Sequence, residues 1–190
     1  YSPDGSLIAS GDGAGMLRLW AARTGELLQE LKVQDGQEIT SLAFSPNGLF
    51  LASTGIDETA SLIGIAGADG SHAMSVLYIF DSQGTDFTDT AFSADGELLA
   101  VTDWDGQARL WKTANGEEQT TLHSTSGLLS LAFYPAGVEA GGLPGAQALL
   151  TSSYDGSLSL WNYPAGEETL RRDDQGPAAE CVAFSPTGAG

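Results

Sequence analysis

One phrase recurs along the chain: an apolar pair ending in Phe or Tyr, then Ser-Pro-x-Gly or a close relative. It opens as Tyr1-Ser2-Pro3-Asp4-Gly5. It returns as Ala43-Phe44-Ser45-Pro46-Asn47-Gly48, Ala91-Phe92-Ser93-Ala94-Asp95-Gly96, Ala132-Phe133-Tyr134-Pro135-Ala136-Gly137 and Ala183-Phe184-Ser185-Pro186-Thr187-Gly188. The phrases start at positions 2, 45, 93, 134 and 185, at spacings of 43, 48, 41 and 51. A repeat of this length is the strongest single constraint on a fold, because each unit must bury its apolar faces against its neighbours.

Each unit reads as four short strands. Pro pre-sets one corner of the first turn, and Asp or Asn before Gly accepts the corner that needs positive φ. A short apolar strand follows: Leu7–Ser10, Leu49–Ser53, Leu98–Thr102 or Leu149–Ser152. A second turn carries Asp105-Gly106 and Asp155-Gly156. After it come alternating strands that end in Trp20, Trp111 and Trp161. Period-two alternation is the mark of a half-buried strand. Gly25-Glu26, Gly116-Glu117 and Gly166-Glu167 then turn the chain into a fourth strand, and the next inner strand centres on Leu42–Phe44, Thr90–Phe92, Leu131–Phe133 or Val182–Phe184. No segment keeps a helical period. A lone four-stranded sheet cannot cover both its faces, and stacking the sheets as propeller blades does.

The order Phe-Ser-Pro-Asp-Gly, Leu-Ala-Ser, Asp-Gly-x-x-x-Leu-Trp, Gly-Glu resembles the WD-repeat family over essentially the whole chain. The resemblance implies an all-β fold of four-stranded antiparallel blades, read here as an open arc from a larger ring, with closure of the split blade into a ring of four as the alternative. Residues 1–190 then form one propeller segment. A split blade takes 1–35 plus 178–190, and whole blades take about 38–82, 85–123 and 128–172. The chain starts inside a motif, as a fragment of something longer would. The Gly-His pair of the family is missing from the loops around Gln34, Ser82, Thr125 and Gln175, so the buried Asp–His–Ser/Thr–Trp network the resemblance implies is incomplete. The second repeat diverges most, with Asp57-Glu58-Thr59 at its turn and Ile63 at the Trp position. Val138–Gly145 reads as an inserted surface loop.

Charge narrows the partners. Twenty-five acidic and seven basic residues leave a net charge of −18, and only Lys32 and Lys112 are lysines. Such a surface repels phosphate, which argues against nucleic acid and anionic membranes. It suits a solvated acidic exterior, a basic protein partner or a high-salt setting. There is no apolar stretch of about 18 residues and no charged segment leading into an apolar one. A cytoplasmic location is therefore the expectation.

Chemistry-bearing constellations are sparse. His72, His123 and the lone Cys181 form no metal spacing, and Cys181 in Glu180-Cys181-Val182-Ala183-Phe184 reads as a small core residue. Asp103-Trp104-Asp105-Gly106 lacks the remaining oxygens of a calcium loop. Gly11-Asp12-Gly13-Ala14-Gly15 has no helix behind it to cradle phosphate and reads as a loose hairpin turn. Adjacent carboxylates such as Glu117-Glu118 and Glu167-Glu168 point to opposite faces of a strand and suit sheet-edge protection. No Ser or Thr has a His–carboxylate pair to activate it. The expectation is a scaffold with no catalytic residues and no cofactor or metal, binding a protein or peptide of possibly basic character. The alternatives are a sensor module in a multidomain signalling chain and, further off, a propeller enzyme. Trp20, Trp111 and Trp161 belong to the core, whereas Trp104, Tyr154 and Ile56 occupy equivalent turns. These three either pack on an adjacent blade or form a row that anchors a partner, with Asp57, Asp103, Asp105 and Asp155 capping the turns and setting a negative rim.

Overall fold

The computed structural model describes residues 1–65, 73–135, 148–163, 165–173 and 176–184. His72, the Val138–Gly145 insertion and the Ser185–Gly188 phrase lie outside them. The described residues contain fifteen strands and no helix. They fall into two compact units, Tyr1–Ala91 and Phe92–Gly190.

The first unit opens with a three-stranded antiparallel sheet of β1 (Leu7–Gly11), β2 (Met16–Ala21) and β3 (Leu27–Lys32). A four-stranded sheet follows, with β4 (Ile39–Phe44), β5 (Phe50–Gly55), β6 (Thr59–Gly64) and β7 (Ser75–Asp81) in sequence order. The chain then enters β8 (Phe87–Phe92), which shares a sheet with β9 (Leu98–Asp103), β10 (Gln107–Lys112) and β11 (Glu118–His123). The last sheet holds β12 (Leu128–Phe133), β13 (Ala148–Ser153), β14 (Leu158–Asn162) and β15 (Glu167–Arg172). Each is an up-and-down meander, the strand order of a propeller blade.

At its first three occurrences the recurring phrase makes the same turn, pinned by the serine that opens it. Ser2, Ser45 and Ser93 are buried. Each hydroxyl donates to the acid or amide two residues on, Asp4 at 2.6 Å, Asn47 at 2.7 Å and Asp95 at 2.5 Å. Each also accepts the N–H that starts the next strand, from Leu7, Phe50 or Leu98, at 2.9 Å. Asp4, Asn47 and Asp95 in turn accept the backbone N–H of Ser6, Leu49 and Glu97. The Ser2 hydroxyl, helped by Ser6, holds the Asp4 carboxyl down to about 2. Gly5, Gly48 and Gly96 close these turns at φ between 72° and 76°, which a Cβ would oppose.

Every sheet shifts register at the same place, on its last strand but one: Leu19/Trp20, Leu62/Ile63, Leu110/Trp111 and Leu160/Trp161. The bulge therefore belongs to the blade geometry, since it persists where Ile63 replaces Trp. A bulge bends a strand and sharpens its twist. Trp111 and Trp161 are buried and Trp20 is half-buried. In the first unit, Leu7, Leu17 and Leu19 pack with Ile39, Leu51 and Ile63 in one apolar cluster.

The implied network survives in halves. Trp20 Nε1 donates to Ser10 Oγ and Trp161 Nε1 to Thr151 Oγ1, both at 2.9 Å. Where the family's His would stand, the buried Gln34 donates to the Thr59 carbonyl at 3.0 Å, and the adjacent Asp35 N–H donates to Asp57 at 2.9 Å. The Gly11–Gly15 turn is tied down, because Asp12 accepts from the Ala14 and Met16 N–H groups and pairs with Arg18 at 2.7 Å.

Two expectations need correction. Residues 178–184 are described and form no strand. A strand exists only through a hydrogen-bonded ladder, and among the described residues this segment makes one such contact, from the Ala179 N–H to the Ser153 carbonyl at 3.2 Å, with Phe184 packing edge-on against Tyr134. Cys181 is consequently exposed instead of sitting in a core.

Candidate partner-binding site

Trp104 and Tyr154 each follow the last residue of the second strand of their sheet, β9 and β13. A strand that ends at the edge of the apolar core throws its next side chain into the turn. In the first of these turns, Asp103 accepts the Gln107 N–H at 2.8 Å and the Gly106 N–H reaches the Asp103 carbonyl at 3.3 Å. Gly106 sits at φ 85°, and a Cβ there would lie 2.6 Å from the Ser126 carbonyl oxygen. Its own carbonyl accepts the Ser124 N–H at 2.7 Å, which clamps the turn to the segment before β12.

Gly127 ends that segment and braces both aromatic turns. Its carbonyl accepts the Tyr154 N–H at 2.9 Å. A Cβ built on it would stand 2.6 Å from the Trp104 carbonyl oxygen and 3.3 Å from Trp104 Cε3. With only hydrogen at that position, the two turns close on each other. The Trp104 and Tyr154 rings then meet with centroids 6.0 Å apart and planes inclined at 67°. Edge-to-face contact of this kind is favourable beyond the area it buries. The rings pack on each other yet remain 48% and 64% exposed. Most of what they could bury is still open to water.

Ile56 stands at the matching turn of the first unit and is described by itself. It is 38% exposed, and its N–H donates to the Glu38 carbonyl at 3.1 Å. The neighbouring Glu58 takes φ 65°, where a glycine stands in the other repeats.

The four acids divide. Asp57 caps its turn through Thr59, and Asp155 caps its own through the Ser157 N–H at 3.0 Å. Asp155 also receives Arg171 Nη2 at 3.1 Å, and Arg171 reaches Asp173 as well. Asp103 is fully buried, so it contributes nothing to a rim, and burial pushes its carboxyl above the usual range. Asp105 is exposed, and its carboxylate has no hydrogen-bond or ion-pair partner among the described residues. Among those residues no group of three or more His, Cys, Asp or Glu is arranged to hold a metal ion.

The residues that sequence reasoning missed are Gly127 and Arg171. Gly127 lies in a polar loop with no motif around it. Arg171 meets Asp155 only because the outermost strand β15 returns beside β14.

The family profile described as "WD domain, G-beta repeat" matches residues 1–21, 25–63, 74–112 and 116–162. Over 187 residues the chain is 28% identical to WD repeat-containing protein 82 of Drosophila melanogaster, covering 97% of this chain and 56% of that protein. Over 117 residues it is 36% identical to small ribosomal subunit protein RACK1y of Oryza sativa subsp. japonica, covering 60% of this chain and 33% of that one. A Periodic tryptophan protein 2 homolog of Neurospora crassa is 31% identical over 121 residues, covering 63% of this chain and 13% of that protein. The chain thus spans less than two thirds of the length of these relatives.

Proposed function

Since the chain belongs to the WD-repeat family, we propose that it is a non-catalytic protein-interaction scaffold, a part of a larger WD-repeat protein, and that Trp104 and Tyr154 anchor its partner. The observation that carries this reading is the braced aromatic pair. Two large side chains stay about half exposed or more while their backbones are locked by Gly127 and Gly106. A partner that covers them gains apolar burial without paying to order a loop, which is how a few rigid aromatics dominate an interface. The chain's acidity adds a preference for a protein or peptide that carries Lys or Arg around its contact, because rim charge steers association and selects partners.

The test compares the wild-type chain with Trp104→Ala and Tyr154→Ala as immobilised bait for cell extract, with circular dichroism on each bait. Proteins held by the wild type should be lost or weakened, by more than about 1 kcal/mol for Trp104→Ala, with unchanged spectra. Lower stability with undiminished capture would place the two rings in the fold and the partner site elsewhere.

A further inference from the structure

The pair is electrostatically lopsided. On the Tyr154 side, Asp155 is already neutralised by Arg171, and that guanidinium is held a second time by Asp173. On the Trp104 side, Asp105 follows Trp104 in the same turn, is exposed, and has no hydrogen-bond or ion-pair partner for its carboxylate among the described residues. We propose that the Trp104–Tyr154 site takes an arginine side chain of the partner, its guanidinium against the Trp104 indole and paired with Asp105. The proposal rests on the reading of this pair as the partner site.

Three features argue for a guanidinium over an apolar or ammonium group. Ring planes inclined at 67° present two walls at an angle, and the electron-rich face of Trp is the best aromatic seat for a cation. The exposed Asp105 of the same turn, unpartnered among the described residues, supplies a counter-charge, and a planar fork can stack on a ring while its N–H groups reach a carboxylate. A guanidinium also sheds water more readily than an ammonium, so less is lost on leaving solvent. The resident Arg171 is already engaged by two carboxylates, Asp155 and Asp173.

The probe is a capped pentapeptide, acetyl-Gly-Gly-Arg-Gly-Gly-amide. Its neutral isostere has citrulline in place of arginine. Each is titrated into the ¹⁵N-labelled chain into the millimolar range, and the Trp104 indole N–H, assigned with Trp104→Phe, is followed by NMR together with the Asp105 and Gly127 backbone N–H groups, which also report in Trp104→Leu. The arginine peptide should give a saturable shift, with the citrulline peptide weaker by on the order of fivefold. Asp105→Asn should weaken the arginine peptide by about threefold and Asp155→Asn by less than about twofold. Trp104→Leu, which keeps bulk and removes the ring, should abolish the preference for arginine.

Equal shifts from the two peptides, both lost in Trp104→Leu, would overturn the cation seat and leave the pair as an apolar partner site. No saturable shift from either peptide would also overturn it, as would a larger loss from Asp155→Asn than from Asp105→Asn. Partner capture that is undiminished in Trp104→Ala would remove the site itself, and the two failures are thereby separate.

Discussion

Asp103 and Arg109 face each other across 3.9 Å, with the carboxylate fully buried and the guanidinium nearly so. The same two places in the first repeat hold Asp12 and Arg18 at 2.7 Å, half in solvent. Both aspartates accept the N–H four residues on, Gln107 or Met16. Identical local roles therefore carry opposite electrostatics. Arg18 holds Asp12 below the usual carboxylate range, while burial drives Asp103 above it.

That contrast sets opposite pH signs. Asp4 and Asp12, and likewise Asp95 and Asp155, have folded values below the unfolded one. They stabilise the fold above about pH 4, and this stabilisation is lost as pH falls through their folded values. Asp103 has the reverse sign. Its charge costs stability above its folded value, and the cost is relieved as pH falls. The Tm of Asp103→Asn relative to wild type should therefore be more favourable at pH 7 than at pH 4. A difference that grows toward acid would contradict the assignment. Carboxyl NMR should find Asp4 titrating near 2 and Asp103 above 3.8.

The buried serines of the recurring turn should matter more than their exposed prolines. Removing the Ser93 hydroxyl leaves the Leu98 N–H without its acceptor and frees one side of Asp95. Ser93→Ala should cost about 1–3 kcal/mol in urea unfolding. The Asp95 titration should also move up toward an ordinary carboxylate value. Ser45→Ala should behave alike in stability.

Gly127→Ala should be poorly tolerated although the residue is half-buried and in a loop. Its Cβ would meet the Trp104 carbonyl, a backbone atom that cannot swing aside. Overpacking of this kind costs about 1–3 kcal/mol. The variant should also separate the Trp104 and Tyr154 rings, so near-ultraviolet circular dichroism of the aromatic pair should change along with the unfolding midpoint.

Edge protection fails at one outer strand. β3 and β15 carry charges and β11 is polar apart from Leu122, whereas β7 runs Ser-Val-Leu-Tyr-Ile-Phe before Asp81, with Ile79 63% exposed. An uncharged apolar edge is a template for association. Ile79→Lys should lower light scattering at a given protein concentration. Exposed Leu27, a second apolar position on a charged edge, changed to Lys should do much less.

Salt should raise the melting temperature. With a net charge of −18 the chain repels itself, and a Debye length of about 8–10 Å near physiological strength screens that repulsion. Monovalent salt also weakens the exposed Lys32–Asp35 and Lys112–Glu117 pairs, but such pairs contribute little. A melting temperature that stays flat or falls with added salt would show that the acidity is not a burden on the fold.

The local parts of this protein were legible from its residues. Ser-Pro-Asp-Gly, Asp-Gly and Gly-Glu each act within about five residues, through φ preferences and short hydrogen bonds, so each repeat announces its own turns. Alternation before Trp20, Trp111 and Trp161 marks strands for the same reason, and the positions of Trp104 and Tyr154 follow from the repeat. The contact between those rings depends on Gly127, twenty-three residues after one and twenty-seven before the other. The neutralisation of Asp155 depends on Arg171, which a separate strand brings back. Whether Asp103 is buried and Asp12 is not depends on what packs over identical turns. Val182–Phe184 has the composition of an inner strand and is not one, because a strand is a property of its neighbour as much as of its own residues. Turn and strand preference is written residue by residue. Burial, bracing and charge pairing are set only when distant segments meet.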